Sequence, residues 1–151
     1  MSIAITLHLL SAVLWVGGMF FAYMVLRPVA ANLLEPPLRL PLWTQCFKAF
    51  FPWVWLFALT LPVTGYWMIF KVFGGMSSVG LYVHIMHGLG WVMILIFAHL
   101  FFAPYKRLKT AVAASDWPVA GAQLNTIRKM IGINLLIGLT TIIVGVFGKY
   151  I

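Results

Sequence analysis

Four long apolar stretches, separated by short polar or proline-rich connections, make up almost the whole chain. They run approximately over residues 3–26, 49–70, 79–104 and 130–148. A helix rises about 1.5 Å per residue, so about 20 apolar residues cross the hydrocarbon core of a bilayer. The pattern therefore predicts an all-α integral membrane protein. We expect a single domain, residues 1–151, that folds as a bundle of four transmembrane helices.

The connections carry signals for helix ends. Pro36, Pro37 and Pro41 follow the first stretch, and prolines at such spacing are expected to prevent one continuous helix through this connection. Residues 42–51 are amphipathic and are predicted to lie in the membrane interface before the second span. Residues 115–118 read Ser-Asp-Trp-Pro, which predicts a capped helix start with proline in the first turn.

Composition supports a membrane protein and excludes several other classes. The chain is 64 % hydrophobic and 8 % charged, whereas a soluble domain has about 25 % charged residues. The only acidic residues, Glu35 and Asp116, fall in connections, which argues against a proton pump or an acid–base hydrolase. With Cys46 as the single cysteine, no disulfide can form within the chain. The N-terminus lacks a basic region and is predicted to be the first span rather than a removed signal peptide.

The net charge of +8 is distributed unevenly between the two ends of the predicted bundle. Lys71 and Lys149 lie on one side. The connections after spans one and three hold the other basic residues: Arg27, Arg39, Lys48, Lys106, Arg107, Lys109, Arg128 and Lys129. Short loops rich in lysine and arginine face the cytoplasm, so both termini are expected on the opposite side. The basic residues are expected to meet lipid headgroups, and we predict no nucleic-acid partner.

Histidines mark the candidate chemistry. His8 lies in the first span, and His84, His87 and His99 lie in the third. Histidine is costly in hydrocarbon and usually faces a partner there. Spans one and three run in the same direction, so His8, His84 and His87 are expected at a similar depth, about 5–9 Å from one end.

Parallel helices that present imidazoles at one depth can hold a planar haem between them. The leading hypothesis is therefore a haem b protein, with His8 and either His84 or His87 as axial ligands. Trp15 and Trp91 lie on the same stripes and are predicted to line the cofactor site. The expected activity is one-electron transfer near the outer surface, as a membrane oxidoreductase with a quinone or another redox partner.

Copper is the alternative. His8, His84 and His87, together with Met86, offer imidazole and thioether donors, and Met76 and Met93 extend the set. Soft thioether ligands suit cuprous copper. The same pattern therefore also predicts copper binding or copper transport across the membrane.

A third reading needs no metal. The histidines can form hydrogen bonds across helices to Ser11, Thr60, Thr64 or Asn134. Such bonds hold transmembrane helices together in the absence of a hydrophobic driving force between them. The chain would then be a metal-free accessory subunit.

The first span carries a recognisable motif. Residues 8–20 read His-Leu-Leu-Ser-Ala-Val-Leu-Trp-Val-Gly-Gly-Met-Phe, and Arg27-Pro28 follows. This pattern resembles the opening of the copper-resistance protein D (CopD) family. It is also similar to the HemJ-type protoporphyrinogen oxidases, and Arg128 and Asn134 look like an arginine and an asparagine near the final helix of that group. The lysine that follows the third-helix histidine in the HemJ group is absent here.

The resemblance implies a multi-pass protein of the bacterial inner membrane that handles haem or copper. With the charge distribution, it places both termini in the periplasm. Exposed helix faces in a bundle of this kind are expected to contact lipid and can support a homodimer.

Overall fold

The computed structural model describes residues 2–148 and 150, and these residues form helices and no strands. The helices are α1 (Ser2–Phe20), α2 (Arg27–Leu33), α3 (Pro36–Lys71), α4 (Leu81–Phe102), α5 (Pro104–Ala113) and α6 (Trp117–Phe147). A π-helical turn, Phe21–Leu26, joins α1 to α2, and a 3-10 turn, Met76–Ser78, precedes α4.

Four helical stretches are long and apolar enough to cross a membrane. They are Ser2–Leu33, Pro36–Lys71, Leu81–Ala113 and Trp117–Phe147. Their outward faces expose large apolar side chains, as expected where lipid replaces water as the solvent. The predicted all-α membrane fold with four spans is confirmed.

α3 is longer than the proline pattern suggests. The helix breaks at Leu34 and Glu35, as predicted, but it then continues from Pro36 to Lys71 through Pro41, Pro52 and Pro62. The amphipathic segment 42–51 is therefore the first half of α3 and not a separate helix. Helices in membranes tolerate internal proline because neighbouring groups and local adjustments satisfy the freed carbonyls.

The helices alternate in direction, which gives the bundle two distinct ends. At one end, which we call the terminal end, α1 and α4 begin, and α3 and α6 end. The contact of His8 with Thr64 and the contact of Tyr82 with Gly148 both lie there. The opposite end, which we call the basic end, holds α2 and α5. The eight basic residues that the sequence analysis assigned to the connections after spans one and three lie toward this end. Lys71 is at the terminal end, and Lys149 is outside the described residues.

Aromatic rings from α3, α4 and α5 pack against one another toward the basic end. Phe51 packs edge-on against Phe97 of α4 and Tyr105 of α5, with ring centroids 5.4 Å and 4.8 Å apart. Phe47 stacks on Phe51 at 4.9 Å. Edge-to-face packing suits the ring quadrupoles. This cluster fixes α3, α4 and α5 relative to one another.

The predicted helix start at residues 115–118 is confirmed. Asp116 is the N-cap of α6, and its Oδ1 accepts a hydrogen bond from the backbone N–H of Val119 at 3.3 Å. Ser115 has a positive φ of 53°. This tight turn folds α5 back against the first half of α6.

Candidate functional site

His8 ties α1 to α3 at the terminal end. Its Nδ1 lies 2.9 Å from the hydroxyl oxygen of Thr64. That hydroxyl donates its own hydrogen to the carbonyl of Thr60 at 2.6 Å, so it accepts from His8 and leaves Nδ1–H as the donor. His8 is half-buried and Thr64 is buried. The pair is an interhelical hydrogen bond of the kind that packs membrane helices.

His87 ties α4 to the other side of α3. Its Nε2 lies 2.5 Å from the hydroxyl of Tyr66 and accepts from the indole N–H of Trp91 at 3.1 Å. Because an indole N–H is only a donor, Nε2 of His87 is the unprotonated nitrogen. The lone pair that a metal would need is therefore already directed at two protein donors.

These contacts place His8 and His87 at the same end of the bundle, as predicted, but not beside each other. Their partners, Thr64 and Tyr66, are two residues apart on α3, which is about 200° of rotation around a helix axis. α3 thus presents one face to His8 and another to His87. A groove of about 470 Å³ between α1 and α3 has Thr64 in its lining, and neither His84 nor His87 is part of it. The arrangement does not fit a haem ligated by His8 and His87.

The other residues predicted for the haem site are also dispersed. Trp15 is 2 % exposed and packs edge-on against Phe97, with centroids 6.2 Å apart. Trp91 is 40 % exposed and bonds to His87 and Tyr66. His84 and His99 lie on the exposed face of α4. The two tryptophans therefore do not line one buried cavity.

Methionine side chains converge on glycines of α6. A β-carbon added at Gly145 would lie 3.0 Å from the sulfur of Met86 and 2.9 Å from its methyl carbon. A β-carbon at Gly138 would lie 3.1 Å and 3.7 Å from the methyl carbons of Met93 and Met19. The two glycines thus make room for thioethers from α4 and α1. We call Met19, Met86 and Met93 the thioether set.

The thioether set occupies two levels of the bundle interior. Gly138 and Gly145 are seven residues apart, which is two turns or about 10 Å along α6. One turn beyond Gly138, Asn134 is 4 % exposed and donates from Nδ2 to the carbonyl of Met93 at 3.3 Å. Its Oδ1 is buried and has no hydrogen-bond partner in the described part of the chain. The side chains of three methionines and one unpaired amide oxygen therefore lie along the face of α6 that meets α1 and α4.

Sequence reasoning identified Met86 and Met93 but missed Met19 and Tyr66. Met19 lies in the motif of the first span, eleven residues from His8, and only His8 and Trp15 of that motif were predicted to belong to a site. Its buried position would have followed from the helical stripe Ser11, Trp15 and Met19, which are spaced by four. Met76, also predicted as a copper donor, is half-buried in the turn before α4.

Within residues 2–148 and 150, no group of three or more histidine, cysteine, aspartate or glutamate side chains is arranged to hold a metal ion. No curated protein and no solved structure matches the chain. The family model for copper resistance protein D matches residues 44–147, which is more than half of the chain and begins after the motif in α1. The chain belongs to the copper resistance protein D family.

Proposed function

We propose that this membrane protein binds cuprous copper in the interior between α1, α4 and α6 and carries it across the bilayer. The observation that supports the proposal is the convergence of Met19, Met86 and Met93 on the glycine face of α6. Thioethers are soft, uncharged ligands that favour cuprous over cupric copper. Membership of the copper resistance protein D family supports copper as the cargo.

In this proposal the thioethers provide two successive binding levels for the ion. Met86 lies against Gly145 near the terminal end, and Met93 and Met19 lie against Gly138 nearer the middle. Uncharged donors suit a monovalent ion that must also leave, because a charged ligand set would hold it tightly. The Oδ1 of Asn134 is one turn further toward the basic end and is the next acceptor on this face.

His8 and His87 are assigned a different role in this proposal. Both are bound to α3, through Thr64 and Tyr66, and they hold α1 and α4 at the terminal end. His84 is exposed at the start of α4. Of the residues predicted as copper ligands, Met86 and Met93 are therefore retained as ligands, and His8 and His87 are assigned to helix packing. A haem site has no supporting observation in this arrangement.

The test is an anaerobic titration of the purified protein in detergent with cuprous ion and a coloured competing chelator. We expect Met86→Leu and Met93→Leu, together, to weaken copper binding by about tenfold or more, because even the loss of a group that only supports a metal ligand typically costs that much. Leucine conserves volume and usually costs under about 1.5 kcal/mol of stability. Met24→Leu is the matched control, because Met24 is 54 % exposed on the outer face.

Two results would contradict the proposal. One is a copper affinity in the double methionine variant that equals the affinity of the Met24→Leu control. The other is loss of copper in His8→Ala with full retention in the methionine variant. An absorption spectrum of the same sample addresses haem: a Soret band that shifts on reduction would favour the haem hypothesis instead.

A further inference from the structure

Three arginines from three helices come together at the basic end. Arg27 lies in α2, Arg39 in α3 and Arg128 in α6, and the charges of both Arg27 and Arg39 act on Arg128. The ring of Tyr23, in the π-helical turn after α1, lies against one of them, Arg27. The guanidinium carbon of Arg27 is 4.2 Å from the ring centroid. The hydroxyl end of the same ring approaches Gly132 of α6, where a β-carbon would lie 2.8 Å from Tyr23 Cε2 and 3.2 Å from its hydroxyl oxygen.

Within residues 2–148 and 150, no acidic side chain is paired with this positive charge. The charged or polar groups that act on Arg128 are Arg27, Arg39 and Tyr23, and no carboxylate is among them. Glu35, which is near Arg39 in sequence, is exposed. The Nε of Arg128 is fully buried and lacks a hydrogen-bond partner within residues 2–148 and 150. A buried donor without a partner is destabilising, and more so when the group is charged.

The arginines are positioned rather than freely exposed. Nη1 of Arg39 donates to the carbonyls of Leu34 and Ala31 at 3.4 Å and 3.5 Å, which fixes its side chain on the turn between α2 and α3. The ring of Tyr23, in the π-helical turn after α1, holds the side chain of Arg27. Because Gly132 has no side chain, this ring can approach α6 closely. Each guanidinium has five N–H donors in a planar fork. Most of these donors are therefore available to a ligand.

We infer that Arg27, Arg39 and Arg128 form a binding site for a phosphate group at the basic end of the bundle. A phosphate offers several charged oxygens, so that three planar forks can bind it together. The group can come from the headgroup of an anionic phospholipid or from a free phosphate compound. This inference is independent of copper binding, since it rests on a different end of the molecule.

The first measurement asks which phosphate is bound. Native mass spectrometry measures which lipid stays bound when the protein is released from nanodiscs. These nanodiscs contain equal amounts of phosphatidylglycerol and phosphatidylcholine. Thermal unfolding in phosphatidylcholine nanodiscs, titrated with inorganic phosphate, measures the free ligand. The variants are Arg39→Gln, Arg39→Lys and Arg128→Gln. Lys106→Gln is the matched control, because Lys106 is an exposed base at the same end.

If the inference is correct, one ligand binds selectively and saturably to the unmodified protein. Its affinity falls by about tenfold or more in Arg39→Gln, the effect of losing one charge-assisted hydrogen bond. The affinity falls less in Arg39→Lys, which keeps the charge and the fold but loses the planar set of guanidinium donors. Retention of phosphatidylglycerol identifies a lipid headgroup, and stabilisation by inorganic phosphate alone identifies a free phosphate. No selective binding of either, or an equal loss in Lys106→Gln, overturns the inference.

Discussion

The hydroxyl of Thr64 lies 2.9 Å from Nδ1 of His8, and this contact fastens the beginning of α1 to the end of α3. Because Thr64 donates its only hydroxyl hydrogen to the carbonyl of Thr60, its oxygen acts as the acceptor toward His8. His8 is thereby held in one tautomer and orientation. The contact gives the histidine of the first-span motif a structural role that needs no metal.

Thr64→Val should therefore weaken the protein. The substitution keeps the shape but leaves Nδ1–H of His8 without its acceptor, and interhelical hydrogen bonds in membranes contribute about 0.6–1.7 kcal/mol. We expect a loss of that size in the free energy of unfolding, measured by titration with a denaturing detergent. Thr60→Val is the control, because its hydroxyl bonds only to the Leu56 carbonyl of the same helix. Equal losses in both variants would contradict the account.

His87 and His84 should respond differently to removal. His87 accepts from both Tyr66 and Trp91, so His87→Ala leaves the Tyr66 hydroxyl without its acceptor and leaves the Trp91 N–H only its 3.3 Å bond to the Tyr66 oxygen. This loss is expected to cost about 1–3 kcal/mol. His84 is exposed, and His84→Ala should change stability by less than about 0.5 kcal/mol. The same unfolding measurement, followed through tryptophan fluorescence, checks both. A larger cost for His84→Ala would show that this face of α4 is covered by a partner.

The fold could be predicted from the sequence because it depends on local properties. Length and hydropathy locate four spans, and the Ser-Asp-Trp-Pro signal locates the start of α6 at Trp117. The depth of His8 and His87 was also predictable, since it follows from counting residues along each helix. Which helix lies beside each histidine was not, because lateral packing depends on the whole bundle. Thr64 and Tyr66 point to different faces of α3, and only the structure assigns His8 to one and His87 to the other.

The same limit applies to the thioether set. Met86 and Met93 could be chosen as donors from their residue type, but their convergence on Gly145 and Gly138 depends on the contact between α4 and α6. The continuous α3 was missed for another reason. Proline rules learned from water-soluble helices overstate the cost of Pro41 in a helix that neighbouring helices and lipid surround.

Gly138 should tolerate no side chain. Its added β-carbon would lie 2.9 Å from Val16 Cγ2, a stiff β-branched side chain that cannot move away easily. Gly138→Ala is expected to be less stable than Gly90→Ala by about 1–3 kcal/mol, the usual cost of overpacking. Gly90 has no atom within 4 Å of the corresponding position. Thermal unfolding of both variants in one detergent decides the matter, and equal stability would mean that α1 and α6 are not in close contact.

Asp116 should stabilise the turn between α5 and α6. Asp116→Ala removes the side-chain acceptor for the Val119 N–H, and loss of an N-cap costs about 0.5–2 kcal/mol. We expect faster limited proteolysis between residues 112 and 120 in this variant. Asn125→Ala, at an exposed position inside α6, should leave the cleavage rate unchanged. Unchanged cleavage in Asp116→Ala would argue against the cap.

The most direct test of the central claim measures copper movement across a bilayer. The purified protein is placed in liposomes that contain a fluorescent cuprous-copper chelator, and copper is added outside under reducing conditions. The account predicts protein-dependent uptake that falls at least about tenfold in the Met86→Leu, Met93→Leu double variant. Met24→Leu should retain full uptake. Uptake that is absent from the unmodified protein, or equal in the double variant, would contradict the account.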